Sequence, residues 1–333
     1  MNIFVKQSRT YFASHRQAGL SLVELMISLT IGLMLMMGIT SLIVQQSSAR
    51  NELEKSSREI ENGRYAMQLL HDDIQLAGFY GEYALPSGTT YTTPDPCVTA
   101  GGLGWNSASI PVTVPVAIYG YPGGGANPTT CALESYKPFT AILVVRRTDT
   151  STVEAPIAVA GTTYLQVSQC SSVTTPFVLG ASGFTMQKKD CLKPAPLRRY
   201  IVRVYYVSSC DVCGTDSFPT LKVMEFADGN INSIPLVEGI DNMQFDYGID
   251  NSGDGSPDNF TTTPALTDWV NVMAIRVNLL ARNNEPTAGY TDAKKYNLSG
   301  ITGVAPVGPL NDNFSRHAYS ELTRAINPSG RRE

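Results

Sequence analysis

An apolar run near the amino terminus constrains this chain most. It covers residues 20–44, a stretch of 25 residues, and contains one charged residue, Glu24. A helix of this length spans roughly 37 Å at about 1.5 Å per residue, which exceeds the roughly 30 Å hydrocarbon core of a bilayer. An ordinary cleaved signal peptide has a hydrophobic region of only about 7 to 15 residues. We therefore predict a membrane-spanning helix.

The flank ahead of this run is basic. Lys6, Arg9 and Arg16 precede the run, and no acidic residue accompanies them. Because basic flanks stay in the cytoplasm, the first residues are predicted to lie inside and the bulk of the chain outside. The formal net charge of −4 would become −7 without these three residues, so no basic excess supports nucleic-acid binding.

Glu24 requires an explanation, because a carboxylate in hydrocarbon costs several kcal/mol unless it is neutralised or paired. It ends the stretch GLSLVE at residues 19–24, which resembles the processing site of type IV prepilins. The resemblance implies that a prepilin peptidase cuts after Gly19 and methylates the new amino terminus at Leu20. Glu24 would then be the fifth residue of the mature chain. There its carboxylate can pair with the cationic amino terminus of a neighbouring subunit during assembly.

The helix is predicted to continue well beyond residue 44. No proline occurs before Pro86, and Gly78 signals the end of the helix. The pattern over this segment is amphipathic, and packing on the protein's own sheet is favoured over a coiled coil because the seven-residue spacing lasts only four repeats. The stripe consists of Leu53, Ile60, Met67 and Ile74, joined by Leu70 and Ala77.

From about residue 85 the composition favours β-structure. Residues 243–247 and 270–280 alternate apolar and polar side chains, as strands with one buried face do, and further strands are predicted at 141–147, 164–168, 200–207 and 221–226. The predicted fold class is α+β: a long N-terminal membrane-spanning helix packed on an antiparallel β-sheet head domain with long disulfide-bonded loops. The predicted divisions are a cleaved leader (1–19), a transmembrane half of the helix (20–44), its amphipathic half (45–80) and a periplasmic head (81–333).

Two head segments, residues 236–250 and 269–283, resemble the large minor pilins of the PilW type. A looser likeness to the J-type minor pseudopilin of type II secretion systems leaves that alternative open. The resemblance implies a non-enzymatic subunit that is held in the bacterial inner membrane, primes pilus assembly and reaches the pilus tip at the cell surface. Twitching motility, adhesion and DNA uptake are the implied roles. The implied partners are other minor pilins, the major pilin, prepilin peptidase, the inner-membrane assembly platform and a large tip adhesin.

A third interpretation is an unprocessed single-pass periplasmic binding protein, which would still begin at Met1. An enzyme is not expected. His15 lies in the leader, His71 on the amphipathic helix and His317 near the carboxy terminus, and none belongs to a nucleophile–base motif. No phosphate-binding loop is recognised either, so no catalytic residue is assigned.

The cysteines all follow the membrane segment, and their even number in an oxidising periplasm indicates disulfides. Fifteen pairings can be drawn for six cysteines, and we prefer the sequential one. The competing interpretation takes SSCDVCG as a redox or zinc motif. It is disfavoured because a second CxxC, a nearby histidine and a thioredoxin-like pattern are missing from the sequence. The preferred pairs are Cys97 with Cys131, Cys170 with Cys191, and Cys210 with Cys213.

The loop DNSGDGSPD at residues 250–258 carries oxygen-bearing side chains at alternate positions, followed by a glycine. Such spacing is what a hard cation such as Ca²⁺ requires, as in the first half of an EF-hand loop. The bidentate glutamate of that motif is missing, and the same composition is typical of a plain turn between strands. Both interpretations stay open. The candidate ligands are Asp250, Ser252, Asp254 and Asp258.

Overall fold

The computed structural model describes residues 19, 21–98, 102–154, 157–173, 175–226 and 231–331. Most of the predicted leader, together with Leu20, lies outside the described residues. The chain divides into two compact units, Met1–Leu53 and Glu54–Glu333.

One long helix dominates the amino-terminal part. Helix α1 runs over Leu22–Leu76 and contains no proline. It ends where the sequence indicates, because Gly78 two residues later has a φ of +71° that only glycine adopts without strain. The predicted long helix is therefore confirmed.

The rest of the chain is β-rich and closes with a short helix, α2 (Ile326–Gly330). The strands, in chain order, are β1 (Thr90–Thr92), β2 (Thr113–Pro115), β3 (Ile118–Tyr121), β4 (Ile142–Thr148), β5 (Tyr164–Val167), β6 (Phe177–Gly180), β7 (Leu197–Ser208), β8 (Thr220–Phe226), β9 (Ile231–Glu238), β10 (Ile240–Ile249), β11 (Asn259–Thr261), β12 (Val272–Arg282) and β13 (Arg316–Arg324). All six strands predicted from the sequence are present, and none of their ends is displaced by more than three residues. The α+β fold class is confirmed.

Two antiparallel sheets form the head. A four-stranded sheet has the order β11-β10-β12-β13. A seven-stranded sheet contains β3-β4-β7-β5-β6, with β8 paired to β7 and β9 paired to β8. Strand β7 organises the larger sheet because its 12 residues pair with β4, β5 and β8. A separate two-stranded ladder of β1 and β2 is parallel.

The main core lies between α1 and the two sheets. Met67, Leu70 and Ile74 of α1 cluster with Val145 of β4 and Phe245 of β10. Successive residues of a strand face opposite sides, so Ile142 and Val144 of β4 join a second cluster on the other face of the larger sheet. That second cluster contains edge-to-face aromatic pairs, among them Tyr80, Tyr83, Trp105, Phe177 and Tyr200.

The predicted apolar stripe of α1 divides in the structure. Met67, Leu70, Ile74 and Ala77 are buried, as expected for packing on the protein's own sheet. The prediction is wrong for the other two positions, because Leu53 is 73% exposed and Ile60 is 38% exposed. The spacing alone does not reveal where the sheet stops covering the helix.

The structure joins the cysteines in the sequential arrangement. The three bonds are Cys97–Cys131, Cys170–Cys191 and Cys210–Cys213, which close chain separations of 34, 21 and 3 residues. The first lies in the region between residues 85 and 140, to which the sequence analysis assigned no strand. Loop closure contributes more to stability for the longer separations.

Candidate assembly sites

The amino-terminal segment presents the predicted processing and assembly residues at its surface. Gly19 is exposed, Leu20 lies outside the described residues, and Glu24 is exposed in the first turn of α1. The first turn of a helix carries partial positive charge from its unpaired N–H groups, which favours an acid there. Position and exposure leave Glu24 accessible to a charged group from another chain.

The first part of α1 exposes a largely apolar surface in which Glu24 is the one charged residue. Every large hydrophobic side chain between Leu22 and Val44 is between 51% and 76% exposed. This is also the one helix of the described residues that is long and apolar enough to cross a membrane. Hydroxyl groups in this part donate to backbone carbonyl oxygens of the same helix. Ser28 Oγ donates to the Glu24 carbonyl oxygen at 2.7 Å, and Thr40 Oγ1 donates to the Met36 carbonyl oxygen at 2.8 Å. Polar groups are thereby satisfied inside the helix, as a bilayer requires.

Farther along α1, Asp73 ties the helix to the larger sheet. Its side chain is 2% exposed and accepts hydrogen bonds from Arg147 Nε at 2.7 Å, Arg203 at 3.0 Å and the Tyr205 hydroxyl at 2.9 Å. Burial acts to lower the pKa of Arg203, but Asp73, Tyr205 and Glu225 together outweigh it and raise the pKa above its usual range. Burial and the same carboxylate also raise the pKa of Tyr205. Asp73 therefore links the helix to the sheet through hydrogen bonds to both of its carboxylate oxygens.

The sequence analysis did not identify this ion cluster, although the position of Asp73 in the helical pattern indicates it. Asp73 lies three residues after Leu70 and four before Ala77, so helical spacing places it on the apolar face rather than on the polar one. Arg146 and Arg147 likewise follow directly on the apolar run of strand β4. A charged residue within an apolar pattern indicates a buried ion pair more often than a chance exception.

The same helix approaches the smaller sheet closely at Gly63. A Cβ atom there would lie 2.2 Å from the ring of Tyr319 on β13, so no larger residue fits without displacing that ring. Nearby, Asn62 donates to the carbonyl oxygen of Glu238 at 3.1 Å, and His71 bonds to Thr323 and Glu321 of β13. These contacts fix the helix along the edge of the sheet.

Glu59 also lies on the buried side of α1, and hydrogen bonds and opposite charges compensate its carboxylate only in part. Its side chain is 4% exposed, and its Oε1 atom has no hydrogen-bond partner. Burial raises the pKa of Glu59 to about 7, against the opposing effects of Ser315, Lys294 and Arg316. The residue borders a cavity of about 450 Å³.

A second buried ion cluster holds β13 to β10 and to the loop before β13. The Arg316 guanidinium contacts Asp241 at 2.9 Å, Asp292 at 2.9 Å and Asp312 at 2.5 Å, and Lys137 also pairs with Asp241. Burial alone would raise the pKa of Asp241, but Lys137 and Arg316 overcome it and hold the pKa below its usual value. The cluster ties these segments together through buried ion pairs.

In the acidic loop the candidate calcium ligands bind backbone amides. Asp250 accepts from Gly253 N at 2.5 Å and Gly255 N at 3.0 Å, while Asp258 accepts from Asn251 N and Ser252 N. Asp254 accepts from Ser256 N at 2.8 Å. No group of three or more acidic, histidine or cysteine side chains suited to a metal occurs among the described residues. The bonds favour the turn interpretation, and calcium binding stays a prediction.

An exposed apolar helix that begins beside a prepilin-like processing stretch, followed by an antiparallel disulfide-bonded head, defines the class of type IV pilin-like proteins. Two family models match the chain in agreement with this class. The one described as a prokaryotic N-terminal methylation motif matches residues 14–40, and the one described as Type IV Pilus-assembly protein W matches residues 204–327. Together the two matches support a type IV pilus minor pilin of the PilW type.

The two matches cover separate parts of the molecule. The first contains Gly19 and Glu24, and the second runs from β7 to the start of α2 and includes the Arg316 cluster. No curated protein and no solved structure matches the chain significantly. Both families point to a structural role in pilus assembly rather than to an enzyme.

Proposed function

We propose that this protein primes assembly of a type IV pilus together with other minor pilins and is incorporated at the pilus tip. The observation that carries the proposal is Glu24, an exposed acid five residues after Gly19 and the one charged residue of the apolar run 20–44. After cleavage, the amino terminus at Leu20 of one subunit and the carboxylate of another would form a charge pair in a low-dielectric medium, where the attraction is strong. The apolar surface keeps the subunit in the inner membrane until this pair draws it into the growing stack.

The proposed life cycle follows from these parts. Prepilin peptidase removes residues 1–19 and methylates Leu20, residues 20–44 span the membrane, residues 45–80 continue as the amphipathic helix, and the head, residues 81–333, faces the periplasm. The assembly platform and the major pilin are the remaining partners, with a large tip adhesin as a further one. Twitching motility, adhesion and DNA uptake would then depend on this subunit through the pili that it starts.

Processing is tested by the intact mass of the membrane form. A mature chain that begins at methylated Leu20 is expected, and Gly19→Phe should block cleavage because the peptidase must approach the backbone at the glycine. A wild-type chain that still begins at Met1 would exclude the pilin mechanism and support the single-pass binding protein.

The charge pair is tested by Glu24→Ala in the native host, with sheared surface pili counted. The variant should be cleaved and inserted, and it should reduce pili to the level of the gene deletion, because its helix cannot recruit a neighbour. Glu54→Ala is the matched control, since Glu54 lies on the same helix outside the apolar run and pairs with Arg58 at the helix surface. Normal pilus numbers with Glu24→Ala would refute the mechanism.

The second candidate is a minor pseudopilin of a type II secretion system, which the prepilin motif and the looser J-type likeness of the head allow. Deletion of the gene separates the two when pili and secreted enzymes are measured in the same cultures. Loss of pili with secretion intact is expected. Loss of secretion with pili intact would assign the protein to the secretion system.

A further inference from the structure

We propose that the Cys210–Cys213 disulfide is a thiol–disulfide exchange site that accepts two electrons from a dithiol in the periplasm, whereas the other two disulfides are structural. The inference rests on the surroundings of the two sulfur atoms in the turn between β7 and β8. It is independent of the role proposed above.

The two cysteines differ in accessibility. Cys210 follows β7 directly and is 6% exposed, whereas Cys213 is partly exposed between the exposed residues Val212 and Gly214. An outside thiolate therefore reaches the sulfur of Cys213 first. Cys191 is likewise partly exposed, with a buried partner in Cys170, so accessibility alone does not set the Cys210–Cys213 pair apart from that disulfide.

Lys222 places a positive charge beside the sulfur of Cys213. This residue of β8 is 1% exposed, and its three N–H groups point to Glu134 Oε2 at 2.7 Å, the Asp211 oxygen at 2.8 Å and Cys213 Sγ at 3.7 Å. An ammonium has three donors, and a disulfide sulfur is only a weak acceptor for the third. A thiolate at Cys213 would accept a charge-assisted hydrogen bond there. The buried lysine is thus better satisfied in the reduced state than in the oxidised one.

The partner charge of Lys222 does not cancel this effect. Glu134 is 50% exposed, so water screens its carboxylate, while the side chain of Lys222 is 1% exposed. Ser208 Oγ lies 3.6 Å from Cys210 Sγ and 3.8 Å from Cys213 Sγ, but it donates its proton to the Glu134 carbonyl oxygen at 2.9 Å. The charged donor at this disulfide is therefore the Lys222 ammonium, which lies at Cys213.

The exchange takes two steps. A thiolate of the dithiol attacks Cys213 Sγ, which forms a mixed disulfide and expels the Cys210 thiolate beside Ser208. The second thiolate of the dithiol then attacks the first sulfur of the dithiol, which is bonded to Cys213 in the mixed disulfide. This attack expels the Cys213 thiolate beside Lys222. The dithiol leaves as a disulfide, and two electrons have passed to the Cys210–Cys213 pair, whose thiolates take up protons from solvent. The reverse sequence lets the Cys213 thiolate attack a disulfide of another protein.

The remaining disulfides have different surroundings. In the described part of the chain, the sulfur atoms of Cys170 and Cys191 contact Ser172 and a backbone oxygen, and no charged nitrogen donates to them or to Cys97 and Cys131. They also close longer segments, with separations of 21 and 34 residues against 3. Their reduction would therefore cost more loop-closure stabilisation than reduction of the pair in the turn.

The test uses the oxidised full-length protein in detergent, equilibrated with mixtures of reduced and oxidised dithiothreitol. Free thiols are trapped by alkylation and located by peptide mass mapping. Cys210 and Cys213 should become reduced at a thiol-to-disulfide ratio at least tenfold lower than the other four cysteines. Reduction of all three pairs over the same range of ratios would overturn the proposal.

Lys222→Met is the decisive variant, because it removes the ammonium and leaves Glu134 in contact with solvent. It should raise the ratio needed to reduce the pair by at least tenfold. Lys188→Met is the matched control, since Lys188 is an exposed lysine of the segment closed by Cys170–Cys191. A midpoint unchanged by Lys222→Met would assign a structural role to the pair. If this variant does not fold, the rate at which iodoacetamide alkylates reduced wild-type Cys213 decides: a fast reaction at pH 6 supports the thiolate, and a rate typical of a free thiol refutes it.

Discussion

The two halves of α1 each carry an acid among apolar side chains, and they differ in where the compensating cation comes from. Glu24 lies in the half that is exposed throughout, and Asp73 lies in the half that packs on the head, where Glu59 is a second buried acid. Asp73 finds its cations, Arg147 and Arg203, within the chain. The comparison teaches that an acid among apolar side chains of a helix needs either a cation or, as at Glu59, a raised pKa. Where the chain does not cover the helix, as at Glu24, the proposal is that another subunit supplies the cation.

The largest effect should come from breaking the buried pair. Asp73→Ala leaves Arg147, which is 8% exposed, with an uncompensated charge, and it removes the partner of the Tyr205 hydroxyl. Loss of one member of a buried pair costs about 3–5 kcal/mol of unfolding free energy. Denaturant unfolding of the protein in detergent measures it.

The neighbouring acid provides the control for this experiment. Asp72 is exposed and accepts only a helix-surface bond from Gln68, so Asp72→Ala should change the free energy of unfolding by about 0.5 kcal/mol or less. Equal losses for the two variants would show that the ion cluster does not hold the helix to the sheet.

A matched pair of leucines sharpens the comparison next. Leu70 is fully buried and Leu53 is 73% exposed on the same helix. Leu70→Ala should cost about 2–5 kcal/mol, because it removes buried methyl groups and leaves a cavity, whereas Leu53→Ala should cost about 0.5 kcal/mol or less. Thermal unfolding of both variants measures the difference. A comparable cost at both positions would contradict the observed division of the apolar stripe.

This division marks the limit of what periodicity predicts. The helix and six strands follow from local patterns that each segment carries in its own residues. Strand β13 escaped prediction because its exposed residues at the sheet edge are largely polar, and β9 because Pro235 interrupts it. Neither of these two edge strands shows the alternation of apolar and polar residues that is typical of a strand with one buried face.

The candidate sites show the same limit. Gly19 and Glu24 could be assigned because processing reads a short continuous stretch. The Asp73 cluster could not, because its partners lie 74 and 130 residues away in the chain and meet only when β4 and β7 pair. Likewise, Lys222 contacts Cys213 only through the register of β8 against β7. A sequence supplies charged residues in apolar patterns but not the pairing between them.

Glu59 gives a smaller and pH-dependent effect. Its folded-state pKa of about 7 exceeds the ordinary value of 4.5, so the folded state binds the proton more tightly than the unfolded state. The group therefore lowers stability as pH rises from about 4.5 to about 7, and the loss persists above that range. Glu59→Gln removes the titration and should stabilise the protein by about 1 kcal/mol at pH 8 relative to pH 4.5, allowing for screening at the cavity.

The control for Glu59 is Glu61→Gln, because Glu61 is exposed on the same helix two residues later. Melting temperatures are measured from pH 4.5 to pH 8 for both variants and the wild type. The curve for Glu59→Gln should diverge from the wild type across the interval between the two pKa values, while that for Glu61→Gln follows the wild type. Parallel curves for all three proteins would show that the burial of Glu59 carries no proton linkage.

The smallest effect concerns the acidic loop, far from α1 in sequence. Because Asp250 and Asp258 already bind backbone amides, the loop is stabilised without a cation, and we expect excess Ca²⁺ or a chelator to leave the melting temperature unchanged. Asp250→Ala should destabilise the protein in either condition, since at least two amide donors lose their acceptor, whereas Asp254→Ala should cost about 0.5 kcal/mol or less. A melting temperature that rises with Ca²⁺ in the wild type but not in Asp254→Ala would instead establish the calcium site.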